Sequence, residues 1–265
     1  MNAWLHLLKK EFRLGLTAFL VPIITYLVLT GVAAYIGSRN GFSWEAVVGV
    51  SIFAIGLQVF YVLYYLLNSL QVERKKLHLW IHTPMPGYGL LSAKIAAGLI
   101  SMIMTLLLTG VTLMVAVHQS PTISEQVKMV QLADMSLLGG IHLILFAVSL
   151  AVLFIFFWIV FLLFNRNLGS FVSFLSTFVL FIGTTSVYNW FKESIVYEKL
   201  TSWGEIQFSG IAESVSIEAS MESGTEVITE VGTFSLFAGA YLFETVVALI
   251  LFFAACWMLD HKVEV

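Results

Sequence analysis

Apolar residues run on almost unbroken in six stretches of this chain, at approximately 15–37, 44–70, 91–117, 137–164, 169–189 and 235–258, with short polar segments between most of them. A hydrocarbon core of about 30 Å takes roughly 20 helical residues to cross, and each run has about that length or more. Six membrane-spanning helices are therefore predicted, in a fold of the all-α, polytopic class. Ahead of them, "NAWLHLLKKEFR" (2–13) sets Trp4, Leu5, Leu8 and Phe12 on one helical face and His6, Lys9, Lys10 and Arg13 largely elsewhere, the pattern of an interfacial helix on the inner leaflet. The first run is longer than the 7–15 residues typical of a signal-peptide core, so it reads as a retained anchor, which Pro22 would kink unless a neighbour satisfies the freed carbonyl.

The connections differ in size. "NRNLG" makes a tight helical hairpin between the fourth and fifth runs, and the connection 118–136 is short and polar. The long one is 190–234, before the last helix. It begins "NWFKESIVYEKLTSW", a mixture of aromatic, aliphatic and charged residues suited to a short interfacial or re-entrant helix. Then "VSIEA" (215–219) and "EVITEV" (226–231) flank "SMESGT", predicting a small β-hairpin with Gly224 in its turn. At about 1.5 Å per residue the second run would reach roughly 40 Å as a helix, so it tilts or projects beyond the core.

Composition sharpens this picture. Only 11% of the 265 residues are charged and 59% are hydrophobic, against about 25% charged in a typical soluble domain. The chain reads as one transmembrane domain, 1–265. Lys and Arg set its orientation. With the N-terminus inside, Lys9, Lys10, Arg13, Arg74, Lys75, Lys76, Lys94, Arg166 and Lys262 fall on the inner side, and Arg39, Lys128, Lys192 and Lys199 outside. That asymmetry predicts cytoplasmic termini in a multi-pass protein of the plasma membrane. Eight Glu between Glu193 and Glu230 make the outer loop 190–234 anionic.

Several chemistries lack their residues. No GxxxxGK[ST] is present, nor any Gly-Lys pair, so the chain has no P-loop; HExxH, GxSxG and a DxDxDG calcium loop are also absent. His78 and His82 stand at a helical spacing for a metal, but Arg74, Lys75 and Lys76 would repel a cation, and no metal site is expected. Cys256 is the only cysteine, which excludes an intramolecular disulfide and suits a buried apolar position. Two polar residues inside the apolar runs stand out as candidates for a translocation pathway or a helix contact. Glu244 in "FETVVALILFFAACW" is costly facing lipid, and Gln58 in the middle of the second run can hydrogen-bond across helices.

The densest basic cluster lies in "ERKKLHLWIHTPMPGYGLLSAK" (73–94). Glu73 to Lys76 continue the second helix, "LHLWIHT" is a short amphipathic piece, Pro84 and Pro86 stop it, and "GYGLLSAK" launches the third. Topology alone explains positive charge here, but not a short helix held between two long ones. The arrangement resembles the permease subunit of type 2 ATP-binding-cassette (ABC) exporters. Their first cytoplasmic loop has an acidic-basic start, a Thr-Pro and a Lys ten residues after that Pro, matched here by Glu73-Arg74-Lys75, Thr83-Pro84 and Lys94. Where family members often carry a Gly-Thr after the basic residues, this chain continues Lys76-Leu77-His78 and is about two residues shorter before the Thr-Pro.

The resemblance implies half of a translocation pathway, with ATP and Mg bound on a separate ABC ATPase subunit and no cofactor in this chain. It implies a second permease subunit, identical or not, surrounding membrane lipids, and no nucleic acid. Within the loop 71–90, the ATPase-coupling residues would be Glu73, Arg74, Lys75, Leu79, Trp80, Thr83 and Pro84. Two other classes compete with it. One is a membrane sensor or scaffold subunit whose acidic outer loop recognises a ligand; the other is an embedded enzyme using Glu244 and His142, which lacks a paired nucleophile or metal cluster.

Overall fold

The computed structural model describes residues 3–74, 85–124, 129–220 and 224–262, with the backbone alone for 73–74, 122, 129–135, 206–220 and 224–235. Ten helices and one hairpin are described. They are α1 (Ala3–Leu14), α2 (Leu16–Asn40), α3 (Ser43–Leu57), α4 (Tyr61–Arg74), α5 (Gly87–Gln119), α6 (Pro121–Ser124), α7 (Met129–Leu168), α8 (Ser170–Lys192), α9 (Ile195–Thr201) and α10 (Ala238–Lys262), with β1 (Glu205–Ser220) and β2 (Gly224–Phe237) before the last. A 3-10 turn, Gln58–Phe60, joins α3 to α4 in one span. Among the described residues, six helices are long and apolar enough to cross a membrane: Leu16–Asn40, Ser43–Val72, Gly87–Gln119, Ser136–Leu168, Ser170–Lys192 and Ala238–Lys262. The chain is a polytopic helical membrane protein.

The third span begins at Gly87 rather than near residue 91. Pro86, at φ −66° and ψ 152°, sets the chain in extended form just before the helix, and the Asp260 carboxylate at the end of α10 accepts the Gly87 N–H at 2.8 Å. An anion on a first-turn amide is favoured by the helix dipole. The hairpin between α7 and α8 is tighter than a five-residue loop: Gly169 alone, at φ 75°, separates the two helices. Gly41 closes α2 in the left-handed conformation, and the Gly41 and Phe42 amides both reach the Gly37 carbonyl.

Lipid gives no hydrophobic force between helices, so they associate by close packing of small residues and by interhelical hydrogen bonds. The centre follows this rule. Val62, Leu66 and Leu70 of α4, Leu91, Ile95 and Met102 of α5, Ala147, Ala151 and Ile155 of α7, and Ala255, Cys256 and Leu259 of α10 form one buried cluster. Ala93, Ala97, Ala147, Ala151 and Ala255 have no exposed surface. At Gly98 a Cβ would already touch the Val62 and Tyr65 side chains at 3.3 Å, so these α4 side chains pack directly on the α5 backbone. Cys256 lies in this core as a free thiol. The spans α2 and α8 sit at the periphery and are the least buried.

The loop between α8 and α10 holds α9, capped by Ser194 on the Tyr197 amide, and an antiparallel hairpin. The hairpin is longer than the two predicted strands, pairing Glu205 with Phe237 at one end and Ser220 with Gly224 at the other. Gly224 is the last rung of the ladder rather than part of the turn.

Candidate functional site

At the end of the bundle where α4 finishes and α5 begins, three polar side chains from three helices close a ring. Lys94 Nζ donates to Glu11 Oε2 and to Ser69 Oγ, each at 2.8 Å, and the Ser69 hydroxyl donates to the same Glu11 oxygen at 3.0 Å. Lys94 is 0% and Glu11 1% exposed. The Tyr65 hydroxyl adds a bond to the Glu11 carbonyl at 3.0 Å, and the Trp4 indole N–H reaches Ser92 Oγ at 3.2 Å. The first helix therefore does more than present an apolar face. Leu7, Leu8 and Phe12 pack on the bundle, Leu5 stays exposed, and Glu11 points into the protein. Lys94 spends its charge internally, so the orientation read from basic residues rests on the other eight inner ones.

Gly15 makes this close approach possible. A Cβ there would collide with Oη, Cζ and Cε2 of Tyr65, and the Gly15 amide continues the helical pattern by donating to the Glu11 carbonyl at 2.8 Å.

This clamp brackets the segment singled out for coupling. Glu73 and Arg74 are the last two residues of α4, as the continuation of the second helix requires. Lys75, Leu79, Trp80, Thr83 and Pro84 lie outside the described residues, as do His78 and His82. On either side of the segment, Ser69 and Lys94 are fixed to the same carboxylate, and Gly87 is fixed to Asp260.

Gln58 and Glu244 are not brought together. Gln58, 6% exposed, donates its amide to Thr109 Oγ1 at 3.0 Å across α5. It lies beside a cavity of about 370 Å³ lined by α2, the second span and α5. Glu244 stands at the opposite end of the bundle from Lys94, ion-paired with Lys192 at the end of α8. Lys192 in turn lies over the Tyr188 ring, 4.8 Å from its centroid. Nearby, His142 Nδ1 and Tyr241 Oη are hydrogen-bonded at 2.9 Å. These contacts tie α7, α8 and α10 together, and they make Glu244 a helix-pairing group rather than a residue of that cavity. The Lys192–Glu244 pair is about one-third exposed, so Glu244→Gln should cost only about 0.5–1 kcal/mol in thermal unfolding of the detergent-solubilised protein. Glu244→Lys should cost more, because it sets two ammonium groups side by side; equal losses would show that the pair does not hold the helices.

Among the described residues no three His, Cys, Asp or Glu side chains converge as a metal site. Sequence reading missed Glu11 and Ser69 and gave Lys94 no partner. The available signal was that Glu11 is the one acidic residue before Glu45. No protein-family model matches the chain, and neither a curated protein nor a solved structure matches it.

Proposed function

We propose that this chain is the membrane permease subunit of an ABC exporter of the type 2 class, forming half of the translocation pathway and driven by a separate ATPase subunit. In this reading α1 is the interfacial helix of the inner leaflet, both termini are cytoplasmic at the plasma membrane, and residues 190–234 are extracellular. The least-buried spans, α2 and α8, are the surface available to a second permease subunit.

One observation carries the reading: the Glu11–Ser69–Lys94 ring ties together α1 and both helices that flank residues 75–84. A force applied to that segment by an ATPase cannot part α4 from α5 without breaking the buried Lys94–Ser69 hydrogen bond and either the Ser69–Glu11 bond or the Glu11–Lys94 ion pair, so the three helices respond as one body. A loop serving only as an orientation marker has no need of such a platform.

The test uses residues whose removal leaves the charge unchanged. Leu79→Ala/Trp80→Ala strips the apolar anchor, and buried aromatic anchors commonly contribute about 2 kcal/mol or more at interfaces. The variant should insert normally yet lose the ATPase that co-purifies with the parent chain, or uncouple hydrolysis from transport, while Lys75→Arg/Lys76→Arg stays mild. Parent-like binding and transport by the Leu79/Trp80 variant, or a parent chain that retains no ATPase, defeats the proposal. Orientation is read separately in a Cys256→Ala background: an impermeant thiol reagent should label Ser220→Cys in intact cells and spare Asn2→Cys, and the reverse pattern inverts the topology.

A further inference from the structure

The cavity beside Gln58 opens on the surface of this chain, between α2 and the second span. Phe53, 65% exposed, and the exposed Val21, Leu29, Leu57 and Phe60 stand along its walls. Its volume of about 370 Å³ falls within the range of small-molecule sites, roughly 300–1,000 Å³, and it has their usual make-up of apolar walls with a few polar groups. No Asp, Glu, Lys, Arg or His lines it.

Its polar groups have a definite sense. The Thr109 hydroxyl proton is taken by the α5 backbone, at 3.1 Å from both the Thr105 and Leu106 carbonyls. Thr109 Oγ1 can therefore only accept from Gln58, which turns the Gln58 amide nitrogen toward it and leaves Oε1 as the outward atom. That oxygen is buried and has no hydrogen-bond partner, and the buried Tyr61 hydroxyl on the next turn, beside Thr105, makes no bond of good geometry. A buried polar atom without a partner is costly, and an acceptor and a hydroxyl of this kind along one cavity mark a place for a ligand's polar group. The local backbone supports this, because a 3-10 turn interrupts the span at Gln58–Phe60, and such mid-helix turns often mark functional positions.

Depth selects the ligand. Gln58 is midway along Ser43–Val72, near the bilayer midplane if that span crosses it. A phospholipid keeps its charged headgroup at the interface and cannot bring it there. We propose that this cavity binds an uncharged, hydroxyl-bearing, long-chain amphiphile taken from the bilayer, whose O–H donates to Gln58 Oε1 and whose oxygen accepts from the Tyr61 hydroxyl, with its chain along the apolar walls. The site requires neither an ATPase nor a second permease, so it stands or falls independently of the exporter reading.

The test uses the purified full chain in phospholipid nanodiscs with hexadecan-1-ol carrying a diazirine in its chain, and the methyl ether of the same molecule. The alcohol should label peptides containing Phe53 or Leu108 saturably, and unlabelled hexadecan-1-ol should compete. The ether, which keeps the chain and the oxygen but has no proton to give Gln58, should label about fivefold less, as expected for one hydrogen bond in this setting. Gln58→Leu should reduce alcohol labelling to the ether's level and leave ether labelling unchanged. Ala54→Trp, which fills the cavity from the turn before Gln58, should abolish both. Equal labelling by alcohol and ether, labelling that never saturates, or full labelling of Ala54→Trp overturns the proposal, and the Ala54 result decides it should Gln58→Leu fail to fold.

Discussion

Lys94→Met should lower the unfolding free energy of the detergent-solubilised protein by about 3–5 kcal/mol, the usual cost of leaving one member of a buried ion pair without its partner. Glu11 cannot escape to water in this variant. Its carboxylate is 1% exposed, and its backbone carbonyl is held by both Tyr65 and the Gly15 amide. Adding Glu11→Gln should return most of the loss, since a neutral amide can still bond Ser69 while methionine fills the lysine's volume. Replacing a buried pair with neutral groups of similar size is often close to energetically neutral. The measurement is denaturant unfolding of the two variants beside the parent. A double variant as damaged as Lys94→Met would mean that lysine packing, and not charge, holds α1 on the bundle.

Gly15→Ala should be nearly as harmful for a different reason. The backbone there, at φ −85° and ψ 4°, suits any residue, so the whole effect comes from the added methyl group. That methyl overlaps the Tyr65 side chain at three atoms, Oη, Cζ and Cε2, and Tyr65 is itself buried with its hydroxyl held by the Glu11 carbonyl. Overpacking of a tight core costs typically about 1–3 kcal/mol, and more when no neighbour can give. The tyrosine's bond to the Glu11 carbonyl should be lost as well. Gly15→Ala/Tyr65→Ala should be less destabilised than the sum of the two single changes. Strict additivity in thermal unfolding would show that Gly15 and Tyr65 do not press on each other.

The six spans were legible because lipid solvation is a local requirement: each run must be apolar along its own length, whatever its neighbours are. Their ends were less so. Pro86 was read as the stop of the preceding segment, but the start of α5 at Gly87 also depends on Asp260, far away in sequence. The hairpin was visible in the alternation at 215–219 and 226–231, while its extension to Glu205 and Phe237 came from pairing that neither strand announces alone. Gln58 was legible as a polar residue in an apolar run, and its bond to Thr109 was not, since Thr109 is one of several hydroxyls on α5. Glu11 was lost among Lys9, Lys10 and Arg13, where an acid looks like surface decoration. Only contact with Lys94 distinguishes it.

That contact spans 83 residues of sequence. A ribosome adding about 5–20 residues per second needs roughly 4–17 s to travel from one partner to the other. During that interval the first two spans are already made, and Glu11 has no buried cation to meet. Burying its carboxylate before then would leave a charge without its cation, so Glu11 can take its place in the bundle only once the third helix has arrived. Lys94 then meets Glu11 and Ser69 together, so the charged end of α1 seats only after α4 and α5 are both present. Assembly is thereby ordered: the beginning of the chain waits for its middle.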